Sequence, residues 1–156
     1  MKIRADFVTN SSSSSFILGF NNEKSVISEI KDNTPLGGYI ERLLEDVGKA
    51  KRMSREDVEA QLREEQEPAI EYELARILQR QGYSYTESWD YVYRTDEGRD
   101  KVQKMLDEWM KETSMRLDEC SVFVEVEYED HTDIGSDMEH EVMPRHPNTI
   151  ARFSYH

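Results

Sequence analysis

Residues 121–130 read SVFVEVEYED. Val122, Val124, Val126 and Tyr128 alternate with Phe123, Glu125, Glu127 and Glu129. A period of two sends successive side chains to opposite faces, so this stretch predicts a β-strand with one apolar face and one acidic face. It also marks a change of period. Upstream, apolar residues recur at helical spacing. Downstream, IARFSYH at 150–156 alternates again, with Ala151, Phe153 and Tyr155 opposed to Ile150, Arg152, Ser154 and His156.

Working back to the start of the chain, Phe16-Ile17-Leu18-Gly19-Phe20 is a short continuous apolar run, the pattern of a strand buried on both faces. Between this strand and the second one, five helices are expected. The first carries Ile40, Leu43, Leu44 and Val47 and stops at Gly48. The second is capped at Ser54 and carries Val58 and Leu62. The third starts at Pro68, carries Ile70, Leu74, Ile77 and Leu78, and closes at Gly82. A short helix capped at Thr86 and a longer one capped at Thr95 complete the set. Asn33 to Gly38 reads as a loop from its turn residues.

Strand, helices, then two strands predict an α+β fold: a small antiparallel sheet, built from the N-terminal strand and two C-terminal strands, covered by four to five helices. Residues 1–156 are expected to form a single domain. Placing FILGF in the centre of the sheet explains its two-sided apolar character. Arg152 is then expected opposite Glu125 or Glu127, as a cross-strand charge pair.

Composition excludes several classes of function. The net charge is −13, which opposes direct binding to nucleic acid. Ten carboxylates and no Lys or Arg fall between Asp118 and Glu141, a stretch that could hold a cation, engage a basic partner or simply be solvated. The one cysteine, Cys120, excludes an internal disulfide and a multi-cysteine zinc site, and it reads as buried and inert. No apolar run approaches the ~20 residues that cross a bilayer, and Thr9 to Ser15 interrupt any signal-peptide core. A cytoplasmic, non-membrane protein is expected.

Two regions carry candidate chemistry. Asn10, Ser11, Ser12, Ser13, Ser14 and Ser15 form a polar run between apolar pieces. It reads as a tight connection, as an anion- or substrate-binding loop, or as the seat of a nucleophilic serine served by a C-terminal histidine. Phosphate loops use glycine and lead into a helix, whereas this run has no glycine and leads into a strand. The second region holds all four histidines, His131, His140, His146 and His156, among the C-terminal carboxylates. Asp130, Glu139, His140 and His156 are the candidate ligands for a divalent metal. The spacing fits neither an EF-hand nor a zincin, so the alternative is a solvated acidic hairpin loop with surface histidines. His146, between Arg145 and Pro147, reads as loop.

The opening MKIRADFVTNSSSSSFI resembles a start shared by a scattered group of uncharacterised bacterial and bacteriophage proteins: Met-Lys-basic, then Phe-Val-Ser/Thr-Asn-Ser-Ser-Ser-Ser-Ser-Phe. Their tails carry a Tyr-x-Asp element, a Glu-His pair and a terminal His, matched here by Tyr128-Glu129-Asp130, Glu139-His140 and His156. Where the group often has Gly after that pair, this chain has Glu141. The resemblance implies that the serine run and the tail belong to one unit. Two functions are expected from these features. One is a non-enzymatic binding protein of phage or mobile-element type, with a protein partner or self-association. The other is a metal-dependent or Ser/His hydrolase-like site where serines and tail meet.

Overall fold

The computed structural model describes residues 13–131 and 133–155. In chain order these form β1 (Ser13–Phe20), a 3-10 turn (Glu23–Ser25), α1 (Val26–Asn33), α2 (Gly38–Lys49), α3 (Arg55–Arg80), α4 (Tyr85–Arg94), α5 (Asp96–Leu117), β2 (Val122–Glu129), α6 (Asp133–Asp137), a π-helical turn (Met138–Val142), a second 3-10 turn (Met143–Arg145) and β3 (Thr149–Tyr155). The fold is α+β, with a three-stranded antiparallel sheet in the order β2-β1-β3. The central place of FILGF is as the sequence implies.

Contacts divide the described residues into two compact units, one holding those within 13–58 and 116–155, the other residues 59–115. The first holds the sheet. Phe16, Leu18 and Phe20 share a face with Val122, Val124, Val126 and Tyr128, and this face packs on Val26 and Ile30 of α1, Leu43 and Val47 of α2, and Met138, Val142 and Met143. The alternation read in SVFVEVEYED therefore lays its apolar side on the core. Tyr128 is fixed there by its hydroxyl, which donates to Asp46 Oδ2 at 2.8 Å. Burial and that carboxylate raise its pKa far above the usual phenol range.

Four expectations change. Residues 55–80 form one continuous helix, where two were expected. Pro68 lies inside it, and the carbonyl it deprives of a donor belongs to exposed Glu64, where water can replace the bond. The helix does close at Gly82, which takes a φ of 102°. Ser84, not Thr86, caps α4: its hydroxyl accepts from Glu87 N at 3.1 Å and the Glu87 carboxylate accepts from Ser84 N at 2.8 Å. Gly48 does not end α2, which runs on to Lys49. Arg152 does not face Glu125 or Glu127. Strand β1 lies between β2 and β3, so Arg152 pairs with Phe16 instead. Ser54 and Thr95 cap α3 and α5 as expected, accepting from Asp57 N at 3.1 Å and Gly98 N at 2.9 Å.

The register of β3 slips between Ile17 and Leu18, so that Ala151 pairs with Ile17 but Thr149 pairs with Leu18. Ile150 is the extra residue. Its Cδ1 and Cys120 Sγ would lie 2.6 and 2.7 Å from a Cβ placed on Gly19. A glycine is needed here for close approach. Gly19→Ala should therefore cost about 1–2 kcal/mol, the lower part of the overpacking range, because both neighbours are side-chain ends that can shift. Thermal unfolding would read this, and adding Cys120→Ala should recover part of the loss.

Candidate metal centre

The segment between β2 and β3 is the part of the chain where the sequence suggested an acidic hairpin loop. It is neither a hairpin nor all loop, because β1 separates the two strands and the segment folds into α6 and two irregular turns. Ile134, Met138 and Val142 recur at four-residue spacing and supply a side that packs on the core. A hydrogen bond from Tyr39 Oη to Asp137 Oδ2 (2.8 Å) ties α6 to α2. The π-helical turn then buries Met138, Glu139 and Val142 while leaving His140 and Glu141 exposed. Such turns are rare and concentrate at functional sites.

Glu139 is thereby carried into the protein with none of its surface exposed, unlike the other carboxylates of the acidic stretch whose side chains are described. Its immediate neighbours come from the sheet. Ser14 is fully buried in β1, in a cross-strand row with Tyr128 and Ser154. The Ser14 hydroxyl donates to Glu139 Oε1 at 2.8 Å and accepts from Arg152 Nε and Nη2, both at 3.2 Å. Ser154 Oγ lies 3.0 Å from the same hydroxyl. The Arg152 guanidinium sits 5.7 Å from the Phe16 ring centroid and 3.8 Å from Glu139 Oε1. On the other side, His140 Nε2 is 3.5 Å from Glu139 Oε2.

Asp130 follows the last residue of β2 and completes the group. Asp130, Glu139 and His140 each offer one ligand atom, and the three atoms lie within 4.8 Å of one another. Two oxygens and one imidazole nitrogen suit borderline divalent ions such as Zn, Mn, Fe or Ni better than Ca, which takes six to eight oxygens. Three of the four metal-ligand candidates from the sequence thus come together, drawn from a strand end and a turn eight residues further on. His156 lies outside the described residues, as do Asn10, Ser11 and Ser12.

Ser13, Ser14 and Ser15 belong to strand β1 and not to a loop. Ser14 and Ser15 are buried, on opposite faces of the sheet. A hydroxyl held between a carboxylate and a guanidinium, with no exposed surface, orients those groups and is not placed to attack a substrate. Arg152 is the site residue the sequence missed in this role. The signal was available, since a central β1 sets Arg152 and Ser154 on the face shared by Ser14.

His131 stands apart from the cluster, with Nδ1 2.9 Å from Glu129 Oε2 at the surface. His146 is 4% exposed and belongs to a different network. Its Nδ1 accepts from Asn148 N at 3.2 Å, which leaves the proton on Nε2, 2.8 Å from Thr34 Oγ1. Burial holds this imidazole's pKa down at about 4. Cys120 is half-buried, and burial pushes its thiol pKa up, which disfavours the reactive thiolate.

No protein-family model matches this chain, and no curated protein or solved structure is significantly similar to it. Among the described residues, no helix is long and apolar enough to cross a membrane.

Proposed function

We propose that this protein binds a divalent cation through Asp130, Glu139 and His140, with Ser14 and Arg152 holding Glu139 in place. The observation that carries this reading is the convergence of three ligand atoms within 4.8 Å around a wholly buried carboxylate. Burying a carboxylate is costly unless charge and hydrogen bonds compensate it. Arg152, 3.8 Å away and partly exposed, offsets part of that cost. A divalent ion offsets more, because it also neutralises Asp130 and uses the neutral imidazole of His140 as a ligand. Three protein donors leave at least one coordination position for water or a ligand atom. Exposed His140 keeps that position near solvent.

The test is calorimetric titration of Zn, Mn, Mg and Ca into chelator-treated, untagged full-length protein. One equivalent of Zn or Mn should bind, with Mg and Ca weaker. His140→Ala should cost at least about 100-fold in affinity, since even outer partners of a metal site are worth roughly 10–100-fold. Asp130→Asn should weaken binding too. Both side chains lie at or near the surface, so circular dichroism should be unchanged. Zn and Mn binding that is absent in the parent, or unaltered in both variants, sinks the reading.

A further inference from the structure

The unit formed by residues 59–115 carries a feature that the metal site does not use. On one side of α4, Tyr85, Trp89 and Tyr93 follow one another at four-residue spacing. Trp89 and Tyr93 are stacked, with centroids 5.3 Å apart and planes 16° apart, and Tyr85 meets Trp89 edge-on at 6.3 Å. Tyr72 of α3 approaches Trp89 at 6.4 Å. The three tyrosines lie at the surface around a half-buried Trp89. Tyr85 is 71% exposed, Tyr93 56% and Tyr72 56%. Exposed aromatic clusters of this kind are enriched where partners bind.

Tyr93 is shared by two adjoining recesses. One is a shallow trough beside Tyr85, Trp89 and Asp90. The other is a deeper recess of about 290 Å³ with Val92 and Val102 at its base and Glu67 and Glu71 at its edge. Tyr93 donates its hydroxyl to Glu71, which raises the pKa of that phenol. Arg99 also lines the deeper recess, but it is occupied: Nη2 is 2.5 Å from Asp96 and Nη1 bonds Tyr93 O at 3.2 Å. The unit as a whole has 14 acidic against 8 basic residues, a net of −6.

We propose that this groove docks a segment of a partner protein bearing Lys or Arg side chains. The aliphatic stem of such a residue fits against Val92, Val102 and the Tyr93 ring, and its charged head reaches Glu67 or Glu71. A neighbouring cation can lie over the exposed Tyr85 ring, whose quadrupole attracts it, while Trp89 is covered by its stack with Tyr93. A purely apolar partner would strip water from Glu67 and Glu71 without replacing it, whereas Asp90 is already paired with Arg94 at 3.5 Å. A second copy of this chain would set the same carboxylates against themselves. Anionic ligands are disfavoured by the unit's net charge of −6, even though Arg76 lies over the Tyr72 ring and Arg94 pairs with Asp90.

Labelled hexa-arginine, with hexa-glutamate as the opposite-charge control, tests this by fluorescence anisotropy on the full chain at about 0.15 M salt, where the Debye length is near 8 Å and diffuse attraction is screened. Hexa-arginine should bind saturably and hexa-glutamate should not. Glu67→Gln/Glu71→Gln and Tyr93→Ala should each weaken binding about tenfold or more, the size expected for desolvated charge and cation–π contacts. Glu108→Gln/Glu112→Gln removes the same charge from exposed positions of α5 and should change affinity by less than about twofold, as screened surface charges do. Tyr85→Ala, at the most exposed ring, gives a second aromatic variant. Equal weakening by the two carboxylate pairs would mean that net charge alone attracts the peptide and would overturn the proposal. Undiminished binding in both tyrosine variants, or displacement of the peptide by an equal concentration of tetramethylammonium, would overturn it as well.

Discussion

Gly98→Ala is expected to destabilise the unit of residues 59–115 by roughly 3 kcal/mol, at the top of the overpacking range. Gly98 lies in the first turn of α5, just after α4 ends and Thr95 takes an extended conformation. A Cβ there would stand 1.9 Å from the carbonyl oxygen of Tyr91 and 2.9 Å from Thr95 Oγ1. The obstacle is main chain, so no rotamer change relieves it. That carbonyl is also held in place by Thr95 Oγ1, which donates to it at 2.6 Å and accepts from Gly98 N. Ala gains about 1 kcal/mol over Gly in helix propensity, too little to offset a clash that must break this cap. Gly48 provides the contrast. It lies exposed in the last turn of α2, where an added Cβ would meet no atom within 4 Å, and Gly48→Ala should be neutral or stabilising by up to about 1 kcal/mol. Urea unfolding of both variants checks the sign: a Gly98→Ala midpoint equal to the parent's would show that the α4–α5 junction relaxes freely.

The elements that the sequence placed well are those with long apolar periods. β2 could be read because its alternation runs for eight residues, and β1 because an apolar run flanked by polar residues has few other homes. Elements with only two or three anchors were harder. Val26 and Ile30 are the only buried residues of α1, which was not anticipated, and exposed Ile27 between them blurs the period. Pro68 misled for a local reason: the rule that prolines start helices is a preference about backbone donors, and an exposed carbonyl at Glu64 lifts the penalty. The serine run was half legible. Its polar character suggested a loop, but Ser14 and Ser15 complete the strand because each finds burial on its own face, and Ser14 finds Glu139 and Arg152.

The candidate site was legible in composition and not in geometry. Asp130, Glu139 and His140 could be named from the density of donors alone. Nothing in sequence distinguished Glu139 from its exposed neighbours, because its burial comes from a π-helical turn that no residue pattern announces. The same limit applies to His146. Its flanking Arg145 and Pro147 suggested surface loop, whereas Thr34 and Asn148, residues distant in sequence or unremarkable in type, enclose it.

That enclosure makes acid stability the second large effect. The imidazole of His146 titrates near 4 in the folded protein and near 6.5 when unfolded. Between those values the unfolded chain takes up a proton that the folded chain refuses, so stability falls as pH falls. The contribution is whole above about pH 6.5, declines below it, and is exhausted near pH 4, a loss of about 3 kcal/mol by linkage. The structural reason is specific. Nδ1 accepts from Asn148 N, so a proton there would set two donors against each other in a buried site. The strain would spread, because Asn148 also bonds Gly19 O at 2.8 Å, Glu29 Oε1 at 3.1 Å and Asn33 Nδ2 at 2.8 Å, joining β1 and α1. Exposed carboxylates such as Glu23, held low by Arg52, and Glu45, held low by Lys49, also favour the folded state above the acid range, so the parent curve contains their share. His146→Gln isolates the histidine. It should lower stability at pH 7, where a buried acceptor is altered, and remove most of the slope between pH 6.5 and 4. Denaturant unfolding at four or five pH values across that window measures the slope directly, and an unchanged slope in His146→Gln would assign the acid sensitivity to the carboxylates instead.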